Sequence, residues 1–306
     1  MNIPAKWAYL AVFVGVFGHA SSEFFAKLTG VAGPEVSVWR YLIGAAGLLI
    51  WSLSRADSRD LITPLREDWQ RLVPLSLIGI SLAYLFFHWA LDFASVIQVA
   101  TLVTTIPIFV GLANLAVNRT PISAVKVATG ILAVAGVALL LTDGYFDTLA
   151  EGNSIWGVLM AAACAALAAL YSVLAKPLMV RHGGMRITTL AITIGAAGLW
   201  VAVGTFWGNW VNPLTLTEMP PVAFWSLIVL GLWNTTVTQL LWLGGLAAAP
   251  DMTRASYLFF LKPVIAAILA VVFLGDSPTW LQVCAILVVS GSVFVEVFWK
   301  ARQATP

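Results

Sequence analysis

The sequence predicts an all-α integral membrane protein of ten transmembrane helices, arranged as two inverted five-helix repeats around a central cavity. Three observations predict this fold class. Of the 306 residues, 60% are hydrophobic and only 10% are charged. The apolar residues are gathered in runs of membrane-crossing length, and the second half of the chain repeats the pattern of the first.

The composition excludes an ordinary soluble domain, in which about a quarter of the residues are charged. The mean hydropathy is +0.94 and the formal net charge is +2. The basic residues are scattered over connecting segments, so a nucleic-acid partner is not expected. Cys164 and Cys284 lie within apolar runs and indicate no disulfide framework.

Ten apolar runs are long enough to cross a bilayer, which takes about 20 helical residues. Backbone amides find no water in lipid, and runs without polar alternation favour helices over a barrel. We call these runs spans 1 to 10. They cover residues 7–27, 36–53, 72–92, 94–117, 123–142, 154–176, 186–207, 222–246, 251–274 and 279–299. The polar segment 54–71 is predicted to be a solvated connector.

The repeat is seen when residues 94–119 are shifted by 156 positions, which lays Pro107 on Pro263 and Thr101 on Tyr257. Fixed self-similarity of this kind defines the architecture. We therefore divide the chain into residues 1–148 and 149–306. Because each half holds five spans, two tandem halves must lie upside down relative to one another, as in many secondary transporters.

The positive-inside rule orients the chain. With the amino end in the cytoplasm, the inner connectors and ends hold most of the Lys and Arg residues. The outer ones hold Lys27, Arg40 and several acids, including Asp92 and Asp276. Both termini are therefore predicted to be cytoplasmic.

Several of these features together resemble a known family. They are the Pro-centred span 9, the Leu274-Gly275-Asp276 sequence after it, Gly291 in span 10 and Arg40 opening span 2. The chain resembles the drug/metabolite transporter superfamily, in particular its ten-helix EamA-type members. It departs from their common pattern in having Asp276 where Glu is usual. The first half also lacks a clear equivalent of the Leu274-Gly275-Asp276 sequence and has Asn118-Arg119 at that place.

This resemblance implies a secondary transporter in the bacterial cytoplasmic membrane. Within the family, the chain looks most similar to exporters of aromatic and other neutral amino acids. The resemblance implies a small amino-acid-like substrate, carried without a cofactor. Ten helices suffice for a monomer with a central path.

The two matched prolines are the first candidate functional feature. Pro107 and Pro263 each remove a backbone hydrogen bond near the middle of a span, and matched interruptions in two repeats point to a transport site. They either bend spans 4 and 9 around a cavity or are points at which these spans flex during exchange. Packing kinks of a common kind are the alternative.

Lys262 is the most informative single residue, because an ammonium group close to the bilayer centre costs several kcal/mol unless it meets water or an acid. We expect it to face the cavity and contact a substrate carboxylate or a coupling acid. The alternatives are a structural ion pair and snorkelling of the side chain to the surface, which is difficult from that depth.

Span 1 places His19, Glu23 and Lys27 on one helical face. Glu23 is a candidate for binding an amino group or a proton. Alternatively, it pairs only with Lys27. His19 is a candidate site residue or a buried histidine with ordinary hydrogen-bond partners.

Further candidates lie on spans 2 and 3, in the outer half. Trp39 and Arg40 form either an anion-attracting vestibule or an interfacial anchor, and Tyr84 and His88 share a comparable face of span 3.

Polar stripes complete the candidate substrate-binding set, although interhelical hydrogen bonding explains such residues equally well. The stripe on span 4 comprises Gln98, Thr101 and Thr105, and the stripe on span 8 comprises Asn234, Thr235, Thr238, Gln239 and Trp242. Tyr257 of span 9, the repeat counterpart of Thr101, is a further candidate.

The resulting prediction is a secondary transporter that exports small zwitterionic metabolites, foremost neutral or aromatic amino acids, by alternating access. A drug or other metabolite carrier of the same superfamily is the alternative. An intramembrane lipid-modifying enzyme is the alternative from another class, but the sequence holds no HExxH or GxGD motif and its three His residues are far apart.

Overall fold

The computed structural model describes residues 4–119, 128, 131–132, 153–249, 255, 257–275, 277–288 and 291, except for a few side chains. Seven helices in this part are long and apolar enough to cross a membrane. They are Ala5–Leu28, Gly33–Leu53, Ile62–Ala90, Gln98–Asn118, Ile155–His182, Gly184–Trp207 and Pro221–Leu246. A shorter apolar helix, Lys262–Leu274, follows. The helical membrane fold predicted from the sequence is confirmed.

These helices correspond to spans 1–4 and 6–9. Span 5 lies almost wholly outside the described residues, although residues 128, 131 and 132 are helical. Span 10 is helical over residues 280–288, and its remainder lies largely outside the described part.

Span 3 begins earlier than the sequence predicts. Residues 54–71 were expected to form a connector, but the helix Ile62–Ser76 already includes the second half of that segment. The Asp60 carboxylate accepts a hydrogen bond from the Thr63 amide at this helix start. Hydrogen bonding from Thr63 lowers the pKa of Asp60. An amphipathic helix can carry polar residues on its exposed face. The length of an apolar run therefore does not reveal where such a helix begins.

Spans 6 and 7 meet at the turn predicted around Gly183. The helix Asn153–His182 extends further than the apolar run, and Gly184–Trp207 starts two residues later. Gly183 has a φ of 94°, a conformation that favours glycine and reverses the chain direction.

Several spans are interrupted. Span 1 consists of Ala8–Ala20 and Ser22–Leu28, separated at Ser21. Span 4 consists of Val96–Val103 and Ile106–Asn118. Span 9 opens as a 3-10 helix, Tyr257–Leu261, before the α-helix Lys262–Leu269.

Spans 3 and 8 share a further irregularity. Both contain wider π-helical turns near their middle, at Leu77–Leu82 and Val229–Val237. Such turns leave local backbone groups outside the regular helical ladder and are frequent at functional sites.

Part of the packing between the described spans is reciprocal. Span 1 packs on span 8 and span 6 on span 3, while span 2 packs on span 7 and span 4 on span 9. Likewise, span 4 packs on span 6 and span 9 on span 1. Exchanging each span with the one five places away leaves this set of neighbours unchanged.

The side chains that cover the outside of the bundle are strongly apolar. Ile50, Val180, Phe206 and Val272 are each more than 60% exposed. Isolated exposed apolar residues are ordinary in soluble proteins, but this many on membrane-length helices form a surface suited to lipid.

Candidate functional site

A buried ion pair joins span 1 to span 9. The Lys262 Nζ lies 2.7 Å from Glu23 Oε1, and the two side chains are 4% and 0% exposed. This contact with the ammonium group is electrostatic, and Glu23 Oε1 has no other polar partner among the described residues. The other carboxylate oxygen of Glu23 accepts a hydrogen bond from Ser22 Oγ at 2.9 Å. Lys262 therefore meets an acid of the chain itself.

The interruptions of spans 1 and 9 place this pair. Glu23 is the second residue of the helical segment that begins after Ser21, and Lys262 is the first residue after the 3-10 turn. Pro263 follows as the second residue of that segment, and Pro107 has the same place in Ile106–Asn118. Both prolines thus lie directly after a break in a span, where their missing amides cost no helical hydrogen bond.

Lys27 does not pair with Glu23. It is exposed and donates a hydrogen bond to the backbone carbonyl of Leu91, at the end of span 3. Lys27 lies only one helical turn from Glu23 along span 1, whereas the observed partner of Glu23, Lys262, is 239 positions away in the sequence.

Arg40 forms a second buried centre on span 2. Its side chain donates from Nε to Thr235 Oγ1 at 3.1 Å and from Nη2 to the Asn234 carbonyl at 3.4 Å. Its Nη1 lies 3.1 Å from His88 Nε2. Arg40 is only 3% exposed, so it holds spans 2, 3 and 8 together.

The contacts of His88 define its protonation. Arginine can only donate, so Nε2 of His88 accepts and the proton resides on Nδ1. Nδ1 lies 3.0 Å from the Tyr84 carbonyl and 2.9 Å from Ser37 Oγ. His88 is therefore neutral and positions the guanidinium group.

Phe87 lies between the two centres. Its ring centroid is 5.5 Å from Lys262 Nζ and 5.9 Å from Arg40 Cζ. Two buried cations thus contact one aromatic ring, which attracts each of them weakly. Phe87 was absent from the sequence-based candidates, and nothing distinguishes it from the other phenylalanines in the sequence.

Asn234 links the Arg40 centre to the break in span 1. Its Nδ2 donates to the Gly18 carbonyl at 2.5 Å and to Ser21 Oγ at 2.8 Å. Ser21, like Ser22 and Ser37, was not among the candidates, because small hydroxyl residues in apolar helices are usually interhelical contacts.

An aromatic cluster surrounds His19, one helical turn before Glu23 on span 1. The His19 ring lies 5.9 Å from Trp242 and 5.6 Å from Phe259, and those two rings are 5.3 Å apart. The ring pairs of His19 are edge-on, a favourable arrangement for aromatic side chains.

The other candidates have more varied positions. Tyr84 packs against Tyr41 at 4.9 Å. The Trp39 indole is buried, and its Nε1 donates to Glu35 at 3.1 Å. Gln98 forms a capping box with Ser95 at the start of span 4.

Three candidates complete the set. Thr101 is fully buried on span 4, and Gln239 is partly buried on span 8. Tyr257 begins the 3-10 turn of span 9, but its side chain lies outside the described residues.

A cleft of about 440 Å³ opens where spans 1 and 3 end and span 2 begins, on the side that the charge distribution predicts to be extracellular. Its lining includes Lys27, Gly33, Asp92 and, at the Arg40 centre, His88. The Gly33 amide donates to both carboxylate oxygens of Asp92 at 3.0 Å, which ties the start of span 2 to the end of span 3.

Ion pairs close the opposite end of the bundle. Arg181 contacts Glu67 and Asp68 at 2.8 and 2.9 Å, and His182 Nε2 lies 2.7 Å from Asp68. Glu67, Asp68 and His182 also have the ligand types of a metal site, but Arg181 already engages both carboxylates.

Comparison with known proteins shows similarity along the whole chain. An uncharacterized transporter of Archaeoglobus fulgidus is 23% identical over 261 residues, which cover 85% of this chain and 86% of the relative. The uncharacterized transporter YyaM of Bacillus subtilis is 23% identical over 292 residues, 95% of this chain and 92% of its own.

A solved structure described as "Crystal structure of protein" has the same fold, with a TM-score of 0.67 at 19% identity. The similarity covers 98% of this chain and 99% of that one. Finally, the sequence model of one family, the EamA-like transporter family, matches the chain twice, over residues 6–142 and 155–298. The protein is thus a multi-pass membrane protein that belongs to the EamA-like transporter family.

Proposed function

We propose that this transporter is a secondary carrier that exports small zwitterionic metabolites across the bacterial cytoplasmic membrane, with neutral and aromatic amino acids as the first substrates to test. The observation that carries the proposal is the buried Glu23–Lys262 pair at the breaks of spans 1 and 9. Two opposite charges buried at the breaks of two spans, one from each half of the chain, are typical of the pathway of a charged or zwitterionic cargo.

The energetics favour a functional role for the pair. Burying two charges costs several kcal/mol per ion, which their attraction only partly offsets. An apolar pair of similar size would stabilise the bundle at least as well. Ionisable groups at membrane depth commonly mark substrate or ion pathways, and this pair connects one half of the chain to the other.

Alternating access is the mechanism we propose. The two matches to one family and the reciprocal packing of the spans support two repeats, residues 1–148 and 149–306, of inverted topology. The cleft at one end and the ion pairs Arg181–Asp68 and Arg181–Glu67 at the other support a carrier that opens on one side at a time. The positive-inside distribution favours cytoplasmic termini, and a monomer suffices for this mechanism.

Reconstitution into proteoliposomes tests the function. Vesicles loaded with a mixture of labelled neutral amino acids should lose one or more of them faster than protein-free vesicles. Lys262→Met should reduce this efflux, whereas Lys176→Met, which alters an exposed lysine on span 6, should leave it unchanged. Folded wild-type protein that moves none of the amino acids would refute the proposed substrate class.

The alternative cargo is a drug or another metabolite, and competition against amino-acid efflux by such compounds would identify it. The family membership does not favour the intramembrane enzyme that the sequence left open, because its relatives are described as transporters.

A further inference from the structure

Arg40 has a buried charge that no carboxylate of the described residues neutralises. Its three polar contacts are neutral: a threonine hydroxyl, a backbone carbonyl and His88. The rings of Tyr41, Tyr84 and Phe87, at 5.6 to 5.9 Å, give weaker cation–π attraction. A buried guanidinium group without an anion is an expensive arrangement, so a negative partner would be strongly attracted to it.

The guanidinium group also has unused donors. Of its five N–H groups, the Nε and one on each terminal nitrogen have acceptors among the described residues. One N–H on each terminal nitrogen remains available. Two such donors are the arrangement that a carboxylate engages through both oxygens.

An unpaired acceptor lies on a residue that contacts Arg40. Asn234 is 1% exposed, and its Oδ1 has no hydrogen-bond donor in the described part of the chain. Gly18 and Ser21 accept from its Nδ2, so the orientation of the amide is set and Oδ1 is the free side. The backbone carbonyl of the same Asn234 accepts from Arg40.

We propose that Arg40 and Asn234 form a binding subsite for the head group of an α-amino or α-hydroxy acid. The carboxylate binds the two free N–H groups of Arg40, and the adjacent ammonium or hydroxyl group donates to Asn234 Oδ1. This inference rests on the proposed transport of small metabolites and specifies which end of the cargo is bound where.

The subsite is separate from the Glu23–Lys262 pair, which is already neutral within itself. It lies next to a route to the surface, because His88 both lines the cleft and contacts Arg40 Nη1. Movement of this one neutral side chain would connect the cleft to the guanidinium group.

Four compounds with the same phenyl body separate the contributions: L-phenylalanine, 3-phenyllactate, 3-phenylpropionate and 2-phenylethylamine. Binding to the purified full-length chain is measured by tryptophan fluorescence and ligand-dependent thermal stability. Phenylalanine and phenyllactate should bind best. Phenylpropionate, which lacks the α-donor, should bind about three- to tenfold more weakly, and phenylethylamine, which lacks the carboxylate, at least about tenfold more weakly.

Arg40→Lys tests the carboxylate contact, because lysine keeps the charge and loses the two-pronged geometry. Phenylalanine should bind about tenfold more weakly to it. Arg59→Lys, an exposed position in the connector after span 2, is the matched control and should bind as the wild type does. The thermal stability of the ligand-free variants separates a folding defect from a binding defect.

Other results would overturn the subsite. These are an Arg40→Lys protein that folds and binds phenylalanine like the wild type, phenylethylamine binding as well as phenylalanine, or chloride displacing phenylalanine so that Arg40 holds an inorganic anion. Transport assays in the same preparation distinguish the two proposals. Binding with the expected order but without vesicle efflux supports the subsite and refutes the transport function.

Discussion

Replacing Lys262 with methionine tests the buried ion pair, because methionine has a similar length and no charge. At 2.7 Å and an effective dielectric constant of about 20, the two charges attract by about 6 kcal/mol. Desolvation of both groups opposes much of this attraction. Removing one partner leaves the Glu23 carboxylate buried without a counter-charge, and such changes cost about 3–5 kcal/mol. We expect Lys262→Met to lower the free energy of unfolding by this amount.

The double variant Glu23→Gln/Lys262→Met separates the pair from its two residues. It leaves neither charge buried alone, so its stability should return to within about 1 kcal/mol of the wild type. Arg181→Met is the control. Arg181 is 59% exposed in its ion pairs, and its loss should cost less than about 1 kcal/mol.

Reversible unfolding by SDS in mixed micelles, followed by tryptophan fluorescence, measures five proteins: the wild type, Lys262→Met, Glu23→Gln, the double variant and Arg181→Met. The reasoning is refuted if Lys262→Met is no less stable than Arg181→Met. It is equally refuted if the double variant loses the sum of the two single losses, since independent residues would then explain the data.

Three further predictions concern the breaks and contacts of the spans. Pro107→Ala and Pro263→Ala should each slow maximal efflux by at least about threefold while changing the KM less. Alanine, unlike proline, lets the preceding residues close the break into a continuous helix, which flexes less readily during exchange. Pro74→Ala, at an exposed site, is the control, and equal effects on rate and KM would contradict a gating role. Gly33→Ala should destabilise the protein by about 1–3 kcal/mol, because a Cβ there would lie 2.7 Å from Trp89 Cα. Gly111→Ala, with no atom within 4 Å of the added Cβ, is the control and should be neutral or slightly stabilising. Equal midpoints of SDS unfolding for the two variants would disprove the close contact. Ser95→Ala should lower the free energy of unfolding by about 1 kcal/mol, because it removes the helix cap of span 4. SDS unfolding measures this loss against Ser54→Ala, a control at an exposed site. A smaller loss of stability than that of the control would show that the cap is not stabilising.

The sequence was sufficient to predict the helical membrane fold because burial of backbone polar groups in lipid permits so few alternatives. Run length also located most of the spans. It did not locate the start of span 3 at Ile62, where the helix is amphipathic, nor the breaks at Ser21 and the π-helical turns of spans 3 and 8. At the break of span 1, the Gly18 carbonyl accepts its hydrogen bond from Asn234 of span 8, a partner that local sequence does not reveal.

The sequence also identified Lys262, Glu23, Arg40 and His88 as candidates. A charged or polar side chain inside an apolar run is rare, because burying it in the membrane is energetically unfavourable. Only the tertiary structure decided their partners: Glu23 contacts Lys262 rather than Lys27, and Arg40 contacts His88 and span 8. These contacts join positions up to 239 residues apart. Local periodicity describes neighbours within a few turns of one helix, whereas the packing of whole helices selects which buried charges meet.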